Sequence, residues 1–314
     1  MVCASLGCTY HSEETLKMTQ SQTRRKLLQD MTLRGFSEDT ISCYSTQCNR
    51  FLEFSKVKDT SRLTEKEFRT YLVHLADRDD LAPSSINLYN SAVRFLYEVT
   101  LEKDINYKRV PHVKEPLKRP EVLTPQELEA FFREVTRPKQ FAFFLNLYGS
   151  GLRISEMLAL RVNDIDARRM LLHVRCGKGR KERFAPLTKA GLEAFRYYWK
   201  MYRPTNANDY IFPDYTKTRT QSPDSFESMF RKIAKDADIC KKASPHTLRH
   251  CFATHTLQSG TDLMRLKEML GHSSLSSTTV YLHLSLVDKS NARSPEELSA
   301  RFWTGYRERN FIHG

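Results

Sequence analysis

The sequence predicts a mainly α protein with a small β-sheet, divided into an N-terminal helical bundle and a second, α+β domain. Three observations carry this. Apolar residues recur at three- and four-residue intervals through residues 23–107 and again beyond residue 121. The stretch RMLLHVRCGKGRKERFAPL, residues 169–187, instead alternates on both sides of a glycine-containing basic turn, as a β-hairpin does. Between the two regions, KRVPHVKEPLKRP (residues 108–120) holds three prolines and five basic residues against one acid and has no apolar period.

In the first region TRRKLLQDMTLRGF makes a helix ending at Gly35. The next starts at a Ser37 cap and turns Ile41, Tyr44, Cys48 and Phe51 to one side. Thr64 and Glu67 have capping-box spacing, with Leu63 before them as a staple. A fourth helix follows Pro83, with Ile86, Tyr89, Val93 and Leu96 as its stripe. Four amphipathic helices on short connections make a compact bundle. Of the basic stretch two readings stand: it runs along something negative, or it is a solvated connector.

The second region opens with Thr124, Pro125 and Glu127, a cap, a first-turn proline and a capping-box acid. Arg153 then begins an otherwise apolar segment in which Ile154, Leu158 and Leu160 face a core. A buried charge there needs a partner, and Glu156 is three residues on. Either the two form a simple ion pair or Glu156 braces the guanidinium toward a ligand. At the hairpin tip Gly177 and Gly179 flank Lys178, which permits a tight turn with the lysine projecting. From Lys189 the chain reads as helical again. Ser244 and Pro245 start a helix carrying His246, Arg249 and His250, with Gly260 as its stop. A helix start favours anions, and an arginine there can fork two hydrogen bonds onto a phosphate or carboxylate. Asp262 to Gly271 forms another capped helix with His272 just beyond it, and a short helix from Ser276 or Ser277 carries Tyr281. In the tail Leu298, Phe302 and Trp303 share one side of a short helix.

Composition selects the anion. Fifty Lys and Arg against 37 acids give a formal net charge of +13, which suits nucleic acid or an anionic membrane surface. No apolar run approaches the roughly 18 to 20 residues that span a bilayer. The first 16 residues have neither a basic start nor a sustained apolar stretch, so no signal peptide is expected. Seven cysteines, an odd number scattered through secondary structure, argue against a disulfide framework and fit a cytoplasmic protein. Cys3, Cys8 and His11 lack a matching partner cluster, which argues against a zinc site.

As a set, Arg153 in GLRISEMLAL, Lys178 in GKGRKER, His246 and Arg249 in HTLRH, His272 in LGH and Tyr281 in TTVYLH resemble the active site of the tyrosine recombinase (phage integrase) family, in its Xer-like or mobile-element branch. The resemblance covers roughly residues 23–290. It implies an N-terminal extension (1–22), a helical core-binding, DNA-binding domain (23–107), a basic linker (108–120), an α+β catalytic domain (121–290) and a tail (291–314). The two domains would clamp a duplex. Such a tail packs on its own domain or docks in a neighbouring protomer; the resemblance suggests the second.

The implied reaction is site-specific cutting and rejoining of DNA for integration, excision or resolution of an element. A phenol takes the scissile phosphate as a 3′-phosphotyrosyl ester, conserving bond energy for rejoining. Arg153 and Arg249 would clamp the phosphoryl oxygens. Lys178 is the candidate acid for the leaving 5′ oxygen, His246 the group that accepts or positions the tyrosine proton, and His272 a donor to the phosphate. Glu156 and His250 are supporting residues. Candidate phosphate contacts are Arg94, Lys108, Arg109, Lys114, Lys118, Arg119, Arg180 and Lys181. The scheme calls for no metal or other cofactor. Expected partners are double-stranded DNA bearing a specific recombination site, further copies in a synaptic tetramer, and accessory DNA-bending proteins, with no membrane. A type IB topoisomerase and a catalytically silent DNA-binding factor are the competing readings.

Overall fold

The computed structural model describes residues 18–78, 80–116, 120–175, 182–204, 206–216, 218–285 and 293–311. They form two compact units, divided between Leu117 and Lys118.

The first unit contains α1 (Gln20–Leu33), α2 (Glu38–Ser55), α3 (Glu65–Ala76) and α4 (Pro83–Phe95), the last running on into a π-helical turn, Leu96–Thr100. The Ser37 cap and the Thr64/Glu67 capping box form as the sequence predicts. α1 starts three residues earlier than its apolar period suggests, because Thr19 and Gln22 close a capping box of their own. Met18 is tied to Asp59 and Thr60, so it too is fixed to this unit. Leu27, Met31, Cys48, Phe51, Phe68, Val93 and Tyr97 are buried at its centre. Removing a ring such as Phe51 by substitution with Ala would cost about 3 to 5 kcal/mol through lost transfer energy and a cavity. The start of the basic stretch lies on the same unit: Val110 is buried, and Asn90 and Asn87 donate to the carbonyls of Pro111 and Val113.

The second unit comprises α5 (Pro125–Glu134), α6 (Pro138–Ser150), α7 (Ile154–Ala159), β1 (Ile165–Asp166), β2 (Leu171–Val174), β3 (Arg183–Pro186), α8 (Lys189–Tyr202), α9 (Pro223–Asp236), α10 (Pro245–Gln258), α11 (Leu263–Leu270), α12 (Ser276–Ser285) and α13 (Pro295–Phe311). The expected hairpin is present: β2 and β3 pair antiparallel with Leu172 opposite Ala185 and Val174 opposite Arg183, and β1 adds to β2 as a third strand. Every residue of α6 from Phe141 to Ser150 is buried, so this helix is the axis of the unit. The tail helix α13 packs on α5, α6 and α8 of its own unit. Leu298, Phe302 and Tyr306 are buried there, and the Tyr306 hydroxyl donates to the Thr136 carbonyl.

Candidate active site

The site is assembled where α6, α7, β3, α10, α11 and α12 meet. Gly151 ends α6 in the left-handed conformation (φ 63°), and a Cβ at this position would lie 2.3 Å from the Phe252 ring. Only glycine meets both demands. The chain then turns at once into α7, with Arg153 as its N-cap and Glu156 in its first turn.

Glu156 is the hub. Its carboxylate accepts from the Arg153 backbone N–H (2.8 Å), from Arg153 Nη1 (2.9 Å) and from both terminal nitrogens of Arg183 (2.8 Å each). Arg249 Nη1 stands 3.9 Å from the same group. Burial alone would raise this carboxyl; the Arg183 fork, the Arg153 N–H and the two guanidinium charges override it and hold the group below the usual carboxylate range. One buried anion thus faces three guanidinium cations, and the excess positive charge suits a phosphate.

Arg249 is 1% exposed, although it sits in the first turns of α10. Its Nη1 donates to the Gly151 carbonyl (2.6 Å) and its Nη2 to the Leu270 carbonyl (2.7 Å). One guanidinium therefore ties α10 to the end of α6 and the end of α11. Burial, with Arg153 nearby, lowers its pKa to about 10, still well above neutrality. Arg153 spends Nη1 on Glu156, and among the described residues its Nε and Nη2 donate to no protein group.

The nucleophile candidate Tyr281 is buried (3% exposed) among Phe252, Ala253, Leu266 and Leu270. Its hydroxyl lies 2.8 Å from His250 Nδ1. His246, expected to accept or position the tyrosine proton, instead stands beside His250, with ring centroids 4.7 Å apart. Burial raises the phenol pKa while Arg249 and Arg153 pull it down, and burial prevails. Burial, then His246 and Arg249, lowers the His250 pKa to about 4. Partial desolvation, then Arg249 and Arg153, lowers that of His246. Burial, then Arg249, lowers His272 to about 4. His250 and His272 are therefore neutral at pH 7 in the free protein, and the shift of His246 is in the same direction. His272 lies parallel to the Tyr281 ring (centroids 6.4 Å apart, 12° between planes), its Nδ1 2.9 Å from the hydroxyl of buried Thr278.

Five of the six predicted catalytic residues, Arg153, His246, Arg249, His272 and Tyr281, thus meet in one site with both supporting residues, Glu156 and His250. Lys178 lies outside the described residues, as do Arg180, Lys181, Lys118 and Arg119. In the first unit Lys108 and Lys114 are exposed, and Arg109 is paired with Glu65 at 3.5 Å. Arg94 is engaged within its own unit: its guanidinium lies 4.5 Å from the centroid of the Tyr107 ring and donates to Asn90 and to the Val110 carbonyl. Two members were not foreseen. Arg183 could have been read from strand alternation, which puts it on the same face as buried Ala185 and so obliges it to find an acid. Thr278 has no such signal. Among the described residues no group of three His, Cys, Asp or Glu could hold a metal ion, and no helix is long and apolar enough to cross a membrane.

Residues 121–286 match the family model described as phage integrase family, and residues 24–107 match that of the phage integrase N-terminal SAM-like domain. The chain belongs to the phage integrase family, the tyrosine recombinases. It is 37% identical over 300 residues to a Sinorhizobium fredii protein described as an integrase/recombinase, covering 94% of each chain. To the tyrosine recombinase XerD of Halalkalibacterium halodurans it is 33% identical, over 80% of this chain and 89% of that one. The fold of this recombinase is shared with the XerH site-specific recombinase bound to palindromic difH substrate, at a TM-score of 0.65 and 19% identity over 87% of this chain and 88% of that one. Such enzymes break and rejoin DNA strands, and these relatives favour neither the topoisomerase nor the silent binder.

Proposed function

We propose that this recombinase cuts one strand at a specific duplex site with Tyr281, holds the DNA as a 3′-phosphotyrosyl ester, and passes it to a second strand. The observation that carries the reading is a buried tyrosine hydroxyl in the same pocket as guanidinium groups already fixed around Glu156 and two backbone carbonyls. The phenol oxygen attacks phosphorus, the bond to the 5′ oxygen breaks, and that oxygen leaves as a hydroxyl with a proton from Lys178. Arg249 and the free edge of Arg153 meet the charge growing on the nonbridging oxygens, and His272 donates there too.

The phenol proton goes to His250 Nδ1, with His246 behind it; the 2.8 Å contact favours His250 over His246 for this step. The phenol is held above its usual pKa and the imidazole well below its own. Full transfer before attack is therefore uphill, and the proton leaves as the new P–O bond forms. A bound phosphodiester anion would favour the imidazolium.

The partner is double-stranded DNA carrying a recombination site, bound by further copies of the chain, as in the lambda integrase tetramer on a Holliday junction, and assisted by DNA-bending proteins. Lys108, Arg109, Lys114, Lys118, Arg119, Arg180 and Lys181 remain candidate phosphate contacts, acting in the cytoplasm on DNA with no metal. The test is incubation with nicked duplexes made from the DNA flanking the gene, followed by denaturing electrophoresis. A protein-linked band supports the reading; free DNA alone, from duplexes the protein demonstrably binds, refutes it.

A further inference from the structure

Arg183 is absent from the motifs that identify the site, yet its side chain joins two of the site's segments. It comes from β3, and its side chain is 11% exposed. Nη1 and Nη2 donate to both oxygens of Glu156 at 2.8 Å, while Nε donates to the Met269 carbonyl at 3.2 Å. Its stem lies against the turn at Gly271 (φ 64°), where an added Cβ would be 2.7 Å from both Arg183 Cδ and Nε. That turn delivers His272, and Glu156 delivers the Arg153 guanidinium.

We propose that Arg183 is a positioning residue for strand cleavage, registering the β3 hairpin, the Glu156 carboxylate and the Gly271–His272 turn around the scissile phosphate. The inference rests on the reading of this site as a DNA-cleaving one. Arg183 is not itself a ligand of the phosphate, because its fork is committed to Glu156 and its Nε to the α11 terminus. It acts through two others. With the fork removed, the Glu156 carboxylate keeps only its Arg153 donors and can rotate, and the turn before His272 loses its tie to the sheet. A misplacement of about 1 Å in such a constellation costs on the order of 100-fold in rate.

The experiment compares wild type, Arg183→Lys, Arg183→Gln, Glu156→Gln and the double variant Arg183→Gln/Glu156→Gln on nicked duplexes made from the DNA flanking the gene. Adduct formation rate, mobility-shift affinity and melting temperature are read for each. Arg183→Gln should slow adduct formation on the order of 100-fold with affinity within about 3-fold, and Arg183→Lys, which keeps the charge without the fork, should fall between. The Arg183→Gln deficit should widen from pH 8 to pH 6, as a Glu156 carboxyl relieved of its fork takes up a proton. The double variant should be no slower than the slower single, because both act through one contact. A near wild-type rate in both Arg183 variants, losses that multiply in the double variant, or rate and affinity falling together would overturn the proposal. If Arg183→Gln does not fold, Arg183→Lys decides by the same readings. Absence of adduct from wild type would instead sink the reading of the site, and this inference with it.

Discussion

Arg249 and Tyr281 are both buried in one pocket, and they are held in opposite ways. The arginine is fixed by carbonyls from two other segments and faces a carboxylate that has been saturated by Arg153 and Arg183. The tyrosine hydroxyl has one hydrogen bond among the described residues, to His250, and the ring a satellite core of four other buried residues. The difference follows from the chemistry. Donors that meet growing charge work best when they need not reorganise, whereas a nucleophile must travel toward phosphorus and away again. The most drastic way to break this comparison is Tyr281→Phe. Loss of the hydroxyl should abolish the covalent adduct completely while mobility-shift affinity for the same duplex stays within about 2-fold, since the ring keeps its packing. An adduct surviving in this variant would move the nucleophile elsewhere.

Arg249→Ala attacks the other half. Removing one preorganised cation should raise the cleavage barrier by about 3 to 4 kcal/mol, a loss of two to three orders of magnitude in single-turnover rate. It also strips the Gly151 and Leu270 carbonyls of their donor, at about 1 to 3 kcal/mol of stability for each left unsatisfied. The variant should therefore melt lower than wild type, whereas Tyr281→Phe, which leaves only the half-buried His250 ring without its partner, should lower it less. Equal melting temperatures for the two would mean that the arginine is no more built in than the tyrosine.

How much of this was legible in the sequence depends on distance along the chain. The capping pairs Thr64/Glu67 and Thr124/Glu127, the hairpin and the Arg153/Glu156 pair are local, and the structure has them as read. The set of Arg153, His246, Arg249, His272 and Tyr281 was legible through family resemblance, since nothing in the spacing brings residues 153 and 281 together. What stayed hidden depends on tertiary packing. Arg183 reaches Glu156 across 27 positions and His250 reaches Tyr281 across 31. Arg94 reads as a surface cation on an amphipathic helix, but Tyr107 and the Val110 carbonyl lie within its reach once the chain folds back. The start of α1 was open to view in Thr19 and Gln22, and the apolar period drew attention past it.

Acid sharpens the comparison, because Arg249, at about 10, keeps its charge across the acid range while the rings around Tyr281 take up protons. His250 and His272, and the fully packed His255 bonded to Tyr148, all have pKa values lowered to about 4 in the folded chain, chiefly by burial. A base with a depressed folded pKa contributes its full stability above the unfolded value of about 6.5, and loses it as pH falls toward the folded value. Melting temperature should thus be steady above pH 7 and fall between about pH 6.5 and 4, with the packed His255 contributing up to roughly 3 kcal/mol and the half-buried His250 and His272 less, because solvent screens them. His255→Gln, remote from the chemistry, should flatten part of that fall. A melting temperature indifferent to pH over this range would mean that these rings accept protons in place.

The smallest expected effect concerns the hold on His272. Thr278 is fully buried one turn before Tyr281 on α12, and its hydroxyl is the only described hydrogen-bond partner of the His272 ring. Thr278→Val keeps shape and removes that partner, which is worth about 1 kcal/mol, or about 5-fold in cleavage rate, with duplex affinity unchanged. Thr278→Ser should restore the rate, since the oxygen alone is required. Because Thr278 rides on the same helix as the nucleophile, its bond to His272 also measures whether the two halves move together. If Thr278→Val cleaves as wild type while binding normally, the histidine takes its position from the Gly271 turn alone, and the tyrosine helix is free to shift without disturbing the anion-binding half.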